Sequence, residues 1–591
     1  MYLVTSINDM MEMSEQPSFE GHRKPSHSLR IWKILTAISS LIAIVVTVVL
    51  IWFVVTHKSG GKNGEHQGAD KDAQSGAILT CPQLPTLFPL TKPTPKRIKG
   101  ALEKMESTLS SLVEKKSSLP AISMNIFYQD DILWSGHFGS KVYKQPAMKP
   151  NGSTVYRIGS VTKVFAVLLM YKLYEEGKIS SLDDPLSKYA PEFVIRNPYT
   201  NENITLREIA SQMSGLPREA PCMFSCSNTT SAEQLALLKN RTLVLPPWKT
   251  PSYSNLGYAL LGRLLTENLL NQTFESWTID NIIKPLGMIN TGFEITDAVQ
   301  KNMAFPYLPG GKRMPFMNIG WVAPTGQMYS TVDDLAKFGM MFAQPEKQKL
   351  FKPATLREMM IPKDITPDGF TVWGSPFEMV FKEHVLVRGK GGSIDSYLAM
   401  FSVIPELALG SNILLSTTHY IQGGTTESLT LVHSLLTVLV PSLNETLFET
   451  QRDSTFPMDP APYIGKFQLT QTNPIFGRKY DFNVTVNSFE NILRFTLPQP
   501  ANAWAEIRYI GESLVFQAKI RASGMSCLFE HSGTLADLYY DPPGDDKLSP
   551  GFLIPGWAIV AKRIKTTSES LVDGSESNQE GFDLSLFTFA V

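Results

Sequence analysis

The sequence predicts an α/β domain of the α+β kind, an antiparallel sheet with helices packed on it, followed by a small all-β domain. Three observations point there. Ala121 to Tyr128 and Ile132 to His137 are apolar runs on either side of Gln129-Asp130-Asp131, the pattern of a hairpin. Helical patterns dominate the middle of the chain, and strand patterns return near 380–416. From about 455 short alternating segments take over: Tyr463 to Leu469, Tyr480 to Val486, Ile492 to Leu497, Ile507 to Ile510 and Leu514 to Ile520. Such spacing suits a barrel or a sandwich.

Taken in order, residues 1–33 are polar and read as a cytoplasmic tail. Ile34 to Thr56 carries no charge and as a helix spans about 34 Å, enough for a bilayer core. Polar residues precede it and His57-Lys58 follow, so 34–56 reads as a transmembrane signal-anchor rather than a cleaved signal. Arg23, Lys24, Arg30 and Lys33 before the span outnumber Lys58, Lys62 and Lys71 after it. That bias favours a cytoplasmic N-terminus, a single-pass type II arrangement with the bulk of the chain extracellular or lumenal. Residues 57–94 mix Gly, Lys, Asp and Pro as a stalk linker would, and 566–591 read as a loose, disordered tail.

Glycosylation sequons begin at Asn151, Asn203, Asn228, Asn240, Asn271, Asn444 and Asn483, all after the span. The four cysteines are an even number, which in an exported domain allows two bridges and three connectivities. The short loop between Cys222 and Cys226 favours that pair. Net charge is −1, so nothing in the composition suggests a nucleic acid partner. The nine histidines form no H-E-x-x-H or Cys/His cluster, and no G-x-S-x-G occurs. No metal or organic cofactor is implied.

Within the first domain, Lys96 to Lys116 has helical character. A long apolar run, Val164 to Tyr174, follows Gly159-Ser160 and ends at Gly177, a plausible residue just past a helix end. Ser160 then falls in the first helical turn. Residues three apart share a helix face, so Lys163 can reach the Ser160 hydroxyl. A serine needs a base to become a nucleophile, and an apolar setting with a second cation would lower a lysine's pKa into that role. Leu206 to Met213 reads as a short helix and Tyr258 to Leu269 as another. Val332 to Phe342 is a third, with Thr331 as its N-cap. Tyr253 and Asn255 fall on a loop before the second of these. A phenol beside two lysines can shuttle a proton, and Asn255 offers a donor and an acceptor to a substrate amide or ester. Lys390-Gly391-Gly392-Ser393 precedes the strand Tyr397 to Ile404, which neighbours Gly410 to Ser416. Its glycines let a substrate approach the backbone, and the Ser160 and Ser393 N–H groups could hold an oxyanion.

Each motif is short and has a decoy, Ser59-Gly60-Gly61-Lys62 and Tyr199-Thr200-Asn201 among them. In combination, Ser160-x-x-Lys163, Tyr253-x-Asn255 and Lys390-Gly391-Gly392 resemble the three active-site motifs of the serine β-lactamase and penicillin-binding protein family. Leu182-Asp183-Asp184-Pro185-Leu186, Pro285-Leu286-Gly287-Met288 and Pro324-Thr325-Gly326-Gln327 look like its class C branch. The likeness covers roughly 95–440, with 455–565 as the appended β domain. It implies a sheet flanked by a helical subdomain with the site between them. It further implies Ser160 as nucleophile, Lys163 as its base, Tyr253 as the relay in deacylation, and Lys390 and Ser393 lining the pocket. Two positions depart from the pattern. Gly391 stands where a hydroxyl residue commonly binds a substrate carboxylate, which disfavours a peptidoglycan-type carboxypeptidase. Gln212 replaces a histidine and reads as structural. The expected activity is hydrolysis of a small-molecule or peptide substrate, an ester, amide or lactam, through an acyl-enzyme. The alternative is a binding or scaffolding protein on the same fold.

Overall fold

The computed structural model describes residues 81–565, except 116–117, 224–225, 309, 419–423, 454–458, 474–476, 490–491, 498–502, 511–513, 523–526 and 528–533. The apolar span at 34–56 and the tail at 566–591 lie outside the described residues.

Helix α1 (Lys96–Lys115) leads into the hairpin β1 (Ala121–Tyr128) and β2 (Asp131–Gly139). Helix α2 (Thr162–Glu175) follows, then α3 (Asn255–Leu270) and α4 (Val332–Ala343). Strands β3 (Asp364–Ile365), β4 (Thr371–Trp373), β5 (Glu378–Lys382), β6 (Val385–Ile394), β7 (Tyr397–Ile404) and β8 (Leu409–Ser416) complete one sheet. Its order is β2-β1-β8-β7-β6-β5-β4-β3, and every pairing is antiparallel. The N-terminal hairpin thus closes onto the last strand, with Ala121 opposite Ser416.

The central strands β1, β7 and β8 are buried along their whole length, as a sheet covered on both faces requires. One face packs against α1 and helix α5 (Gly424–Asp453), through Ile98, Met105 and Leu109 on α1 and Leu435, Leu439 and Leu443 on α5. The other face carries α4 and the helical subdomain that contains α2 and α3. There the rings of Phe338, Phe342, Phe377 and Phe401 form one aromatic cluster.

Helix α5 carries the layered domain past 440. Pro441 inside it and its threonine- and serine-rich sequence hide it from a propensity reading. Residues 431–451 would be long and apolar enough to cross a membrane by composition alone, but Val432, Leu436, Val440 and Leu447 are buried against the sheet. The segment expected to be a free stalk also differs. From Cys81 onward it lies on the domain, with Leu87, Phe88 and Leu90 packed on the α1–α5 core and the Phe88 carbonyl accepting from the Tyr128 hydroxyl at 2.7 Å.

The C-terminal domain is a closed barrel of β9 (Gly465–Thr472), β10 (Lys479–Phe489), β11 (Ile492–Thr496), β12 (Ala503–Tyr509), β13 (Val515–Ala522), β14 (Leu535–Tyr540), β15 (Gly551–Ile554) and β16 (Ile559–Arg563). Closure removes the exposed edges that a sandwich would leave. Phe467, Phe516, Tyr540 and Phe552 fill its interior. A disulfide joins Cys527 to Cys81, and a second closes Cys222 to Cys226.

One buried network ties the helical subdomain to the sheet. The guanidinium of Arg157 pairs with Asp395, both side chains fully buried. Arg157 also donates to the carbonyl of Met317 at 2.7 Å and to Gln327 Oε1 at 3.2 Å. Removing one member of a buried pair strands the other charge, typically at about 3–5 kcal/mol. Asp395→Ala should therefore lower the thermal midpoint of the layered domain sharply. The double variant Arg157→Met/Asp395→Leu should recover most of that loss in the same calorimetric scan.

Candidate active site

Gly159 opens the site. Its φ of +49° starts a 3-10 turn, Gly159–Val161, just ahead of α2. Ser160 thus sits in a tight turn before the helix rather than in its first α-helical turn. Thr162 locks the junction by donating to the Gly159 carbonyl at 2.7 Å. Helix α2 is buried on nearly every side, so Lys163 stands in an apolar wall with its side chain fully covered. Its Nζ lies 2.9 Å from Ser160 Oγ and donates to the Thr325 carbonyl at 2.8 Å.

Tyr253 faces the same hydroxyl, its Oη 2.7 Å from Ser160 Oγ. It precedes Ser254, the N-cap of α3, whose Oγ accepts from the Gly257 N–H and donates to the Pro217 carbonyl. Gln212 holds this loop on both sides of the tyrosine: its carbonyl accepts from the Ser252 N–H and its Oε1 from the Ser254 N–H. The substitution at 212 thus positions the loop. Asn255 opens helix α3 instead of lying on a loop, and its amide donates to both Glu219 carboxylate oxygens at 2.9 Å.

The third motif lies inside a strand instead of ahead of one. Lys390, Gly391, Gly392 and Ser393 are all part of β6, paired with Phe401, Met400, Ala399 and Leu398 of β7. The chain reverses only at Asp395-Ser396, both with positive φ. Ten residues with three glycines do not announce a strand, because glycine lacks the side chain that marks one. Their use is steric. A Cβ on Gly392 would lie 1.9 Å from the Ile158 carbonyl oxygen, and one on Gly159 would lie 2.6 Å from the Ser393 nitrogen. Backbone meets backbone, and the Ser160 turn abuts β6 directly.

Lys390 is almost fully buried. Its Nζ donates to Glu378 Oε1 at 2.7 Å and to the Gly391 carbonyl at 2.8 Å. Glu378 belongs to no motif. A single acidic residue opening the strand beside the motif strand was its one signal in the sequence. The Lys163 and Lys390 Nζ atoms lie 5.0 and 5.3 Å from the Tyr253 ring centre.

These placements set the charge states. Burial is the largest influence on Lys163 and holds it below its ordinary value, with Lys390 adding to the effect. Burial pushes the Tyr253 phenol up, but Lys163 and Lys390 outweigh it and leave the phenol below its ordinary value. Lys390 goes the other way: burial opposes its charge, yet Glu378 and Tyr253 hold its pKa up. A lysine and a phenol that both release protons readily, aimed at one serine, can accept and return the proton of an acyl transfer.

Of the sequon asparagines, Asn151, Asn203, Asn228, Asn240, Asn271 and Asn483 are exposed. Asn444 is half-buried on α5, and its Oδ1 is enclosed without a hydrogen bond.

The chain is similar to known proteins of one family. A family model described as beta-lactamase matches residues 107–429. A beta-lactamase-like protein of Homo sapiens is 32% identical over 499 residues, covering 80% of this chain and 96% of that protein. Beta-lactamase-like protein 2 of Dictyostelium discoideum is 32% identical, covering 70% of this chain and 75% of its own. Among solved structures, a beta-lactamase/D-alanine carboxypeptidase from Yersinia pestis complexed with citrate is 23% identical, with a TM-score of 0.49, covering 57% of this chain and 98% of that one.

Ionisation of Lys163 has a measurable consequence. The neutral amine is the form able to take a proton, so activity should rise with pH through the lowered pKa and fall below it. Lys390 helps depress that pKa, so Lys390→Met should move the acid limb of the kcat/KM profile to higher pH. An unmoved limb would show that Lys390 does not act on the titrating group.

Proposed function

The chain belongs to the beta-lactamase family, and from that we propose that it is a serine hydrolase working through an acyl-enzyme on Ser160. The observation that carries this reading is the position of Ser160 Oγ, 2.9 Å from Lys163 Nζ and 2.7 Å from Tyr253 Oη, with both partners held below their ordinary pKa values.

In this reading Ser160 Oγ attacks the carbonyl carbon of an ester, amide or peptide while its proton passes to neutral Lys163. The carbonyl oxygen takes the negative charge and rests on the Ser160 and Ser393 N–H groups, a role supported by the close approach of their backbones at Gly159 and Gly392. Collapse breaks the bond to the leaving group, which departs with a proton delivered through Tyr253. Water then attacks the Ser160 ester, its proton passing through Tyr253 toward Lys163; the bond from the acyl carbon to Ser160 Oγ breaks, Oγ takes that proton back, and the acid product leaves. Gly391 and Gly392 keep the strand free of side chains beside the acyl group.

A serine-reactive fluorophosphonate should therefore label the protein on the peptide that carries Ser160, and Ser160→Ala should abolish the label. An adduct elsewhere with Ser160 clean would overturn the assignment. Lys163→Arg keeps the charge but cannot deprotonate at working pH, and should cost at least about a hundredfold in kcat/KM on any turned-over ester. Tyr253→Phe should slow deacylation more than acylation, seen by intact mass as a longer-lived acyl-enzyme.

We further propose that residues 34–56 anchor this domain in a membrane with the hydrolase on the extracellular or lumenal side. Two disulfides fit an oxidising compartment, and six exposed sequon asparagines are open to a transferase. Treating protein made in mammalian cells with a glycosidase should lower its apparent mass. Loss of no mass at all would argue for the opposite orientation.

A further inference from the structure

In the resemblance drawn from the motifs, the hydroxyl after the third motif's lysine binds a substrate carboxylate, and the lysine lines the pocket and adds positive potential. Neither is free for that here. Gly391 has no hydroxyl, and Lys390 already holds an anion. Glu378 Oε1 accepts from Lys390 Nζ at 2.7 Å, and its other oxygen accepts from the Gly391 N–H at 3.2 Å.

The register explains why a side chain can reach that far. Glu378 is the first residue of β5 and stands opposite Gly389. Beyond that point β5 contributes no ladder partner to β6. The Glu378 carboxylate takes the place of the missing strand and caps the Gly391 N–H itself. It therefore sits against the backbone and the cation together, which are the two groups an incoming carboxylate would need. The pair lies close to the chemistry, since Lys390 Nζ is 5.3 Å from the ring of Tyr253 and Tyr253 contacts Ser160. At the rim, Arg218 and Glu219 pair at 3.2 Å, so that cation too has its anion. Lys163 must be neutral to act as a base.

We propose that Glu378 is a built-in counter-ion filling the anion seat beside Lys390, so that the site takes acyl groups without a free carboxylate and turns carboxylate-bearing ones away. This rests on the hydrolase reading above. A substrate carboxylate would face Glu378 across one buried cation, and like charges sharing a site repel. Glu378 is then a positioning residue that sets specificity through Lys390 without touching the reacting atoms.

Two esters with the same leaving group test this on the full chain. p-Nitrophenyl butyrate has a neutral acyl chain, and mono-p-nitrophenyl glutarate ends in a carboxylate. The wild type should favour the butyrate by at least about tenfold in kcat/KM, mainly through KM. Glu378→Gln keeps the shape and an acceptor for the Gly391 N–H but frees the Lys390 charge, and should narrow or invert that ratio. A purely structural role would depress both esters alike. Equal or better use of the glutarate ester by the wild type overturns the proposal. So does a ratio unchanged in a folded, active Glu378→Gln. If that variant does not fold, the wild-type ratio decides. Boronic acids separate this from the hydrolase reading, because they add to Ser160 without turnover. If neither ester is hydrolysed and the fluorophosphonate leaves Ser160 clean, the hydrolase reading fails. Phenylboronic acid binding more tightly than 3-carboxyphenylboronic acid, and lost in Ser160→Ala, would still support the counter-ion. The reverse order, or binding that persists in Ser160→Ala, would overturn it.

Discussion

The contact between the Gly159–Ser160 turn and strand β6, bracketed by the buried Arg157–Asp395 pair, is the constraint on which the site depends. Arg157 lies just before the nucleophile turn and Asp395 just after the third motif. Between them the two backbones touch with no room for a side chain on Gly392. A buried ion pair adds little net stability over an apolar substitute, but it tolerates few alternative positions. Here the Met317 and Gln327 bonds to the same two groups narrow them further. The register of β6 against the turn follows, and with it the meeting of three motifs far apart in the chain.

Charge at the site is governed by what surrounds it. Helix α2 is a core element, buried on nearly every side, and Lys163 is among its fully buried residues. Lys163 is accommodated because its amine has two oxygen partners, Ser160 Oγ and the Thr325 carbonyl. Neither is an anion, and burial together with Lys390 outweighs the pull of Tyr253 toward the charged form. Lys390 is just as buried, but Glu378 sits on it and reverses the outcome. Two lysines on either side of one tyrosine thus differ in charge behaviour because one has a carboxylate and the other does not.

The strands of the central sheet were legible where apolar runs had clear ends, as in Ala121–Tyr128 and Tyr397–Ile404. The N-cap at Thr331 was legible as well, because its hydroxyl and the following aspartates follow a local rule. Helix α5 was not, since Pro441 interrupts its pattern and only packing on the sheet supports it. The strand that holds Lys390 was misplaced because glycines leave no periodicity to read. Strands β14 to β16 went unseen; each pairs with its neighbour in sequence, and only the pairing of β16 with β9 closes the barrel.

By itself the sequence determined the chemistry available: a serine with a lysine one helical turn on, a tyrosine before a capped helix, and a lysine among glycines. Those are local facts, and local sterics and hydrogen bonding settle them. Tertiary structure decided which of these groups meet and in what state of charge. Glu378 shows the difference most plainly. It is an ordinary residue in an ordinary strand until β5 ends one pairing short and leaves the Gly391 N–H open to its carboxylate. A pKa depends on every charge and every apolar atom within several ångströms, and such a neighbourhood exists only once distant segments have been brought together.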